Sequence, residues 1–345
     1  MSSMHRYLLG IPAATLAGLI ACSSGADTSP GFTPAPIDTT AGQELGGRRP
    51  FPADNAWNTD ISAAPVDPNS AAFINYIGPT RKLHPDFGGD SGDPSSPIYG
   101  FPYVIVSGTQ PRVSVAFDYD DESDPGPYPI PDEAKTQQKW IEGGLAGNDS
   151  NADGDRHMLI IDRDNRIDYE LYAVRWNGSQ WEAGSGAIFP LDSNARRPDG
   201  WTSADAAGLA ILPGLIRYDE AFGNIPIRHA FRVTVRNTNG YVFPASHRAG
   251  SASGALPMGA RLRLKAAKDI SSFTPEVQRI FQAMKTYGLI VADNGSDMYI
   301  SGTYDTRWNN DVLNPAFASL SASDFEVIQL GWQPTARDRS RAVRH

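Results

Sequence analysis

The densest run of oxygen ligands in the chain is Asp149-Ser150-Asn151-Ala152-Asp153-Gly154-Asp155. Asp149, Asn151, Asp153 and Asp155 alternate, and Gly154 suits a sharp turn, so the run matches the first half of an EF-hand-like calcium loop. The second half departs from that pattern, because Ile160 stands where the bidentate glutamate would fall. Glu170 or Asp162 would have to complete the shell. The same run also reads as a polar turn, since Asp, Asn and Gly favour turns without any metal. A zinc site has less support: no HExxH occurs and no cysteine is free to ligate.

Three histidines are candidates for acid, base or ligand roles. His157 opens an apolar run beside Asp155 and Arg156, His229 shares a strand face with Phe231, Val233 and Val235, and His247 lies in a loop just after a strand. Glycoside hydrolysis needs two carboxyls, one protonated and one ionised. Asp118, Asp120, Asp121, Glu122 and Asp124 cluster at a strand end, while Glu170 is embedded in a strand between Tyr169 and Leu171. A hydrolytic site is therefore expected from Glu170 with Asp118, Asp121 or Glu122, and His157 in support. A carboxylate or histidine in such places can equally be solvated or structurally hydrogen-bonded.

Basic side chains alternate on two strands. Arg232 lies opposite the Phe231 face, and Arg261 and Arg263 alternate with Leu262 and Leu264. A basic sheet face with rings such as Trp201 and Tyr128 nearby would bind an acidic polysaccharide through guanidinium–uronate pairs and stacking. It would also suit a lyase, in which arginine neutralises a uronate while His or Tyr removes a proton. Plain solvent-facing cations are the simpler alternative. Gly184-Ser185-Gly186 lacks the spacing of a nucleophile elbow, and neither a Walker loop nor GxGxxG occurs, so no nucleotide cofactor is expected.

The elements that must position these residues are short and strand-like. Runs 103–107, 113–119, 157–162, 167–176, 228–236 and 260–265 read as strands, with 103–107 and 113–119 as neighbours. Asn177-Gly178 marks a hairpin, and 289–292 and 298–301 read as strands across Asn294-Gly295. Asp120 to Pro131 is too rich in proline and acid to be a strand and is expected as an exposed loop. One helix is clear: Thr274 as N-cap, Pro275 in the first turn, a stripe of Val277, Ile280, Phe281 and Met284, and a stop at Gly288. The expected fold is all-β, a jelly-roll-like sandwich with one packed helix; an irregular α+β domain is the alternative.

Composition agrees. The 345 residues include 33 Gly, 27 Pro, seven Trp and thirteen Tyr, which favours many turns and strands. A net charge of −9 argues against nucleic acid as a partner. Arg6 precedes an apolar stretch, residues 7–21, that is too short and too interrupted for a permanent span. It ends in Leu19-Ile20-Ala21-Cys22, which resembles the lipobox of bacterial lipoproteins, and Cys22 is the sole cysteine. The resemblance implies cleavage before Cys22, lipidation of its thiol and a cell-envelope location facing periplasm or surface. Membrane contact would then run through the lipid alone. Residues 1–21 read as signal peptide, 22–50 as a lipidated flexible stalk, 51–332 as one domain and 333–345 as a basic frayed tail.

The phrases FPADNAWNTDIS, DESDPGPYPIP, GWTSADAAGL, ILPGLIRYDE and ADNGSDMYISG resemble a family of secreted bacterial proteins. That resemblance implies export and a single domain and supplies no mechanism. The leading expectation is a tethered lipoprotein hydrolysing an extracellular polysaccharide. A polysaccharide lyase on acidic glycans and a noncatalytic glycan-binding lipoprotein stand as alternatives.

Overall fold

Uninterrupted burial, rather than alternation, marks the central strands of this fold. The computed structural model describes residues 49–89, 98–223 and 226–335, and the structural statements below concern these. In chain order the strands are β1 (His84–Asp86), β2 (Tyr103–Val106), β3 (Val115–Phe117), β4 (Met158–Asp162), β5 (Ile167–Tyr172), β6 (Arg175–Trp176), β7 (Trp181–Ala183), β8 (Ser185–Pro190), β9 (Phe231–Val235), β10 (Arg261–Leu264), β11 (Leu289–Asn294), β12 (Tyr299–Ser301) and β13 (Phe325–Val327). The α-helices are α1 (Ser70–Ile77), α2 (Tyr218–Ala221), α3 (Pro275–Thr286) and α4 (Asn310–Ala318).

The strands form three sheets, ordered β1-β12-β9-β11-β10-β13, β2-β4-β5-β8 and β3-β7-β6. The β-rich expectation is thus met. Every residue of β2, β4, β9 and β10 is buried. Strands covered on both faces tend to be continuous apolar runs and to accept parallel neighbours. Here β1 runs parallel to β12, β2 to β4, β3 to β7 and β9 to β11.

Local sequence chemistry explains the elements that were expected. Val277, Ile280, Phe281 and Met284 of α3 are buried, Thr274 holds the extended N-cap conformation and Gly288 takes φ +75° past the end. A Cβ at Gly288 would meet Ile61 Cδ1 at 2.7 Å and collide with the Leu262 carbonyl, so the stop is also a packing requirement. The β6–β7 hairpin forms as read, with Trp176 opposite Trp181, and β4 pairs antiparallel with β5.

Four expectations need correction. Strands β2 and β3, expected as neighbours, belong to different sheets. Strands β11 and β12 are separated by β9, which pairs with both, so Asn294-Gly295 does not close a hairpin. The single expected helix is joined by α1, α2 and α4; these are short, and α4 even contains Pro315, so their periodic signal is weak. The Pro-rich loop is exposed at Asp120 and Asp121 but buried from Tyr128 to Pro131.

At the edges, Arg49 and Pro50 belong to the fold rather than to a stalk. Pro50 is buried, Asn58 Nδ2 donates to its carbonyl at 2.9 Å, and Arg49 Nη1 donates to the Arg228 carbonyl at 3.0 Å. The signal-peptide stretch, Cys22, the stalk to residue 48 and the tail beyond residue 335 lie outside the described residues. No helix among the described residues is long and apolar enough to cross a membrane.

Candidate functional site

One loop, residues 201–209, gathers a cluster of charged side chains from distant parts of the chain. The Ala204 carbonyl accepts from His157 Nε2 at 2.9 Å, and the Ala206 carbonyl accepts from His247 Nδ1 at 2.8 Å. Between them, the Asp205 carboxylate takes Arg232 in a bidentate pair, Nε to Oδ2 and Nη2 to Oδ1, both 2.8 Å. Gly208 lets the loop fold this tightly, with φ +70°; a Cβ there would lie 2.7 Å from the Trp201 carbonyl and collide with Ser246 Oγ.

Arg232 is the hub of the cluster. Its strand, β9, lies between β11 and β12, so its guanidinium also reaches Asp293 Oδ2 on β11 and Ser301 Oγ on β12, each at 2.9 Å. Phe101 lies under it, 5.4 Å from ring centre to guanidinium carbon. Burial is the largest influence and would lower the Arg232 pKa, but the charge and hydrogen bonds of Asp205 together with the Asp293 and Glu142 charges raise it.

His157 is buried just before β4, with Nδ1 2.6 Å from Glu142 Oε2. A carbonyl only accepts, so Nε2 carries a hydrogen toward Ala204; a carboxylate only accepts, so Nδ1 carries one toward Glu142. Both ring nitrogens donate, and the ring is an imidazolium. Burial opposes this charge, yet the Glu142 charge and hydrogen bond overcome it and raise the His157 pKa to about 9. Glu142 responds in kind: burial pushes it up, and the His157 charge and hydrogen bonds reverse that and hold it below the ordinary value.

Asp293 moves the other way. Burial pushes its pKa up to about 6, with the Asp205 charge adding to the effect and Arg232 opposing it. The two carboxyls are not sealed: the side chain of Glu142 is 28% exposed and that of Asp293 is 21% exposed. Tyr172 is half-buried, its ring 5.5 Å from that of His157. Its phenol is pushed up by burial and by the nearby acids Asp155, Tyr119 and Asp293. At the outer side, His247 Nε2 faces Glu122 Oε2 at 4.0 Å, and Glu122 Oε2 accepts the Thr202 amide at 3.0 Å.

The structure therefore brings together His157, His247, Glu122 and Arg232 from the expected residues at a loop that begins at Trp201, and leaves the other expected catalytic and binding residues elsewhere. Asp118 and Asp121 are exposed. His229 is buried in a separate group, its Nε2 2.9 Å from Glu220 Oε2, while Arg217 engages the other oxygen of Glu220. Burial pushes Glu220 up, but Arg217 and His229 bring it down to about 2.

The expected basic face does not exist as a solvent surface, because Arg232, Arg261 and Arg263 are all buried. Arg261 Nη2 donates to the carbonyls of Tyr287 at 2.7 Å and Thr59 at 3.2 Å. Arg263 Nη1 donates to the carbonyls of Ile61, Ser62 and Ala64, and its Nη2 to Glu326 Oε1 at 2.8 Å. Both staple the segment 59–64 to β10. Burial lowers Arg261 to about 9. Tyr128 is also unsuited to stacking a sugar: it is fully buried, with its hydroxyl donating to the Asp124 carbonyl at 2.7 Å. Trp201 is half-buried, with Arg197 5.4 Å from its ring centre.

Glu170 is sealed in the core rather than presented to substrate. Its Oε1 and Oε2 accept the Ile211 amide at 2.8 Å, and Oε1 accepts the Leu212 amide at 2.9 Å. Asp168 shares its face of β5 and is equally buried. No N–H reaches either Asp168 oxygen, and its close polar neighbour is Glu170, so a bond between them requires one carboxyl to hold a proton. Burial raises both; Glu170 rises to about 7 despite the backbone amides that lower it. A carboxyl raised in the fold contributes stability that is complete below its unfolded value and lost as pH rises through the folded one. The Glu170→Gln variant keeps an acceptor for both amides and removes this loss. Urea titrations at pH 5 and pH 8 are expected to show a smaller fall in stability for the variant; an identical fall would remove Glu170 as the cause.

In the 149–155 run, Asp149 Oδ1 accepts the Asn151 amide at 2.9 Å and Asn151 Nδ2 at 3.2 Å, and the Asp155 carbonyl accepts the Ala173 amide at 2.9 Å. No group of three or more His, Cys, Asp or Glu residues converges as a metal site among the described residues. A cavity of about 230 Å³ lies beside the same 201–209 loop, bounded by Trp57, Phe189, Arg196, Arg197, Leu209 and Phe243. Neither Glu142 nor Asp293 lines it.

Sequence reading missed Glu142, Asp205, Asp293, Ser301 and Tyr172. One signal was available: an arginine within an apolar strand needs a buried acid, since charged side chains are almost never buried unpaired. Compared with known proteins, the chain matches no family model, no curated protein and no solved structure.

Proposed function

We propose that this protein hydrolyses glycosidic bonds of an extracellular polysaccharide, with Asp293 as the general acid and Glu142 as the ionised partner. The observation that carries the reading is that two partly exposed carboxyls, tied to one Arg232–His157 network, are pushed in opposite directions. Carboxyls whose surroundings separate their pKa values in this way are the usual acid and base of glycoside hydrolysis. With its pKa raised to about 6, Asp293 holds a proton to give to the leaving oxygen in mildly acidic solution. Glu142 stays charged because the His157 imidazolium faces it, and it either directs a water or attacks the sugar carbon. Arg232 and Asp205 act as positioning residues, since both are buried behind the pair.

The test is incubation of the full-length protein with a panel of polysaccharides, following reducing ends and the absorbance of unsaturated products. Hydrolysis is expected to release reducing ends without that absorbance. Asp293→Asn and Glu142→Gln should each lower the rate by roughly 10²- to 10⁴-fold. Full activity in both variants would move the chemistry elsewhere, and unsaturated products would favour a lyase, with the free Nε2 of His247 as candidate base. No turnover on any polymer would leave the glycan-binding alternative.

Two further readings belong to this proposal. Lipidation of Cys22 would tether the enzyme to the cell envelope, close to wall-bound or soluble glycans. Calcium at Asp149, Asn151, Asp153 and Asp155 would rigidify the loop ahead of His157. For the finer architecture, four parallel pairings fit an irregular α+β domain better than a jelly roll, which is built from antiparallel strands.

A further inference from the structure

Most arginines described so far are satisfied by carboxylates or by backbone carbonyls. A groove of about 550 Å³ between α3 and residues 226–228 gathers arginines that have no carboxylate partner among the described residues. Its walls carry Arg228, Arg279, Gln278, Gln282, Thr286 and Tyr287. Arg279 spends one nitrogen, Nη1, on the Ala221 carbonyl at 2.7 Å. Arg49 Nη1 bonds the backbone carbonyl of Arg228 at 3.0 Å, which puts a third guanidinium beside the groove.

None of these three arginines forms an ion pair among the described residues. The nearby acid Glu220 is already taken by Arg217 and His229. Burial and the adjacent Arg228 charge both push Arg49 below the ordinary arginine value, so the juxtaposition is unfavourable as it stands. In a chain of net charge −9, an uncompensated cluster of this kind calls for an anion.

We propose that the groove is a binding subsite for an acidic sugar unit, whose carboxylate or sulfate is held by Arg228, Arg49 and Arg279. Guanidinium forks match the geometry of such anions. The neutral donors and acceptors of Gln278, Gln282 and Thr286 complement sugar hydroxyls, and the half-buried ring of Tyr287 offers a face for stacking. A lipid surface fits less well, because the site is a concave groove rather than an open face. The inference goes beyond the hydrolytic reading and stands without it. Its arginines lie outside the Glu142–Asp293 cluster, so binding and cleavage can fail separately.

Calorimetric titration of the full-length protein tests it, with four soluble probes: oligogalacturonate, sulfated chondroitin oligosaccharide, a neutral malto-oligosaccharide of equal length, and sodium sulfate. At least one acidic oligosaccharide is expected to bind, more weakly as salt is raised, and the neutral one is not. Arg228→Ala should weaken that binding about tenfold, and Arg228→Glu should abolish it. Arg228 is exposed, so the unfolding midpoint of both variants should match that of the parent. Arg175→Ala, at an exposed arginine paired with Glu182, should leave affinity unchanged. The proposal is overturned by equal affinity for the neutral probe, by sulfate alone binding as tightly as the oligosaccharide, or by indifference to Arg228. Binding to phosphatidylglycerol vesicles that falls in the Arg228 variants would assign the groove to lipid instead, and would equally overturn it.

Discussion

Replacing Arg232 with methionine is expected to destabilise the protein by about 3–5 kcal/mol, which is the usual cost of breaking a buried ion pair from one side. Arg232 and Asp205 are both buried, and the Asp205 side chain is completely enclosed. Methionine fills much of the space but leaves the Asp205 carboxylate without its bidentate partner. Asp293 and Ser301 lose a donor in the same step. Urea unfolding at pH 7 measures the loss directly. Combining Arg232→Met with Asp205→Leu should recover a good part of it, because an apolar pair can replace a buried ion pair at little net cost. A single-variant loss below about 1 kcal/mol would mean that water reaches Asp205 and would overturn the enclosed network.

The second large effect is a loss of stability at alkaline pH. The folded pKa of His157, about 9, lies above its ordinary 6.5. Its contribution is therefore complete below pH 6.5 and is lost as pH rises through about 9. At about 1.4 kcal/mol per pH unit, a rise from 6.5 to about 9 amounts to about 3 kcal/mol. Glu142 has the opposite sign: its folded value is depressed, so its contribution is present above the ordinary 4.5 and disappears as pH falls. The pair is worth most between these limits, in mildly acidic solution between about pH 4.5 and 6.5. Unfolding free energies from pH 6.5 to 9.5 should fall for the parent and stay nearly flat for Glu142→Gln, in which burial and the Arg232 charge disfavour the His157 imidazolium with only the Asp205 charge against them. Parallel curves for the two proteins would show that the pair does not drive the alkaline loss.

Much of the local structure was legible because its causes are local. Proline in the first turn, a stripe from Val277 to Met284 and Gly288 are enough for α3, and Asn177-Gly178 is enough for the β6–β7 turn. The site was less legible because its causes are distant. Alternation on β9 correctly puts Arg232 opposite Phe231, but it cannot say that the loop 201–209 covers that second face. The same gap misassigned Arg261 and Arg263, whose partners include carbonyls about 200 positions earlier in the chain as well as the Tyr287 carbonyl and Glu326. Glu170 illustrates the reverse case. A strand-embedded carboxylate does need a partner, and its partners are two amides at the start of the turn Leu212–Gly214 rather than a sugar.

The place of β9 between a parallel and an antiparallel neighbour also bears on how the chain reaches its native state. Arg232 finds Asp205, Asp293 and Ser301 only after segments 27, 61 and 69 positions away have docked. Long-range pairing of this kind is slow to nucleate, since loop closure precedes any gain from contact. Until β12 is in place, the guanidinium lacks part of its shell in an apolar strand, and partly assembled chains carry a penalty that complete ones do not. A chain truncated before Ser301 would be left with an unmet guanidinium donor at its centre.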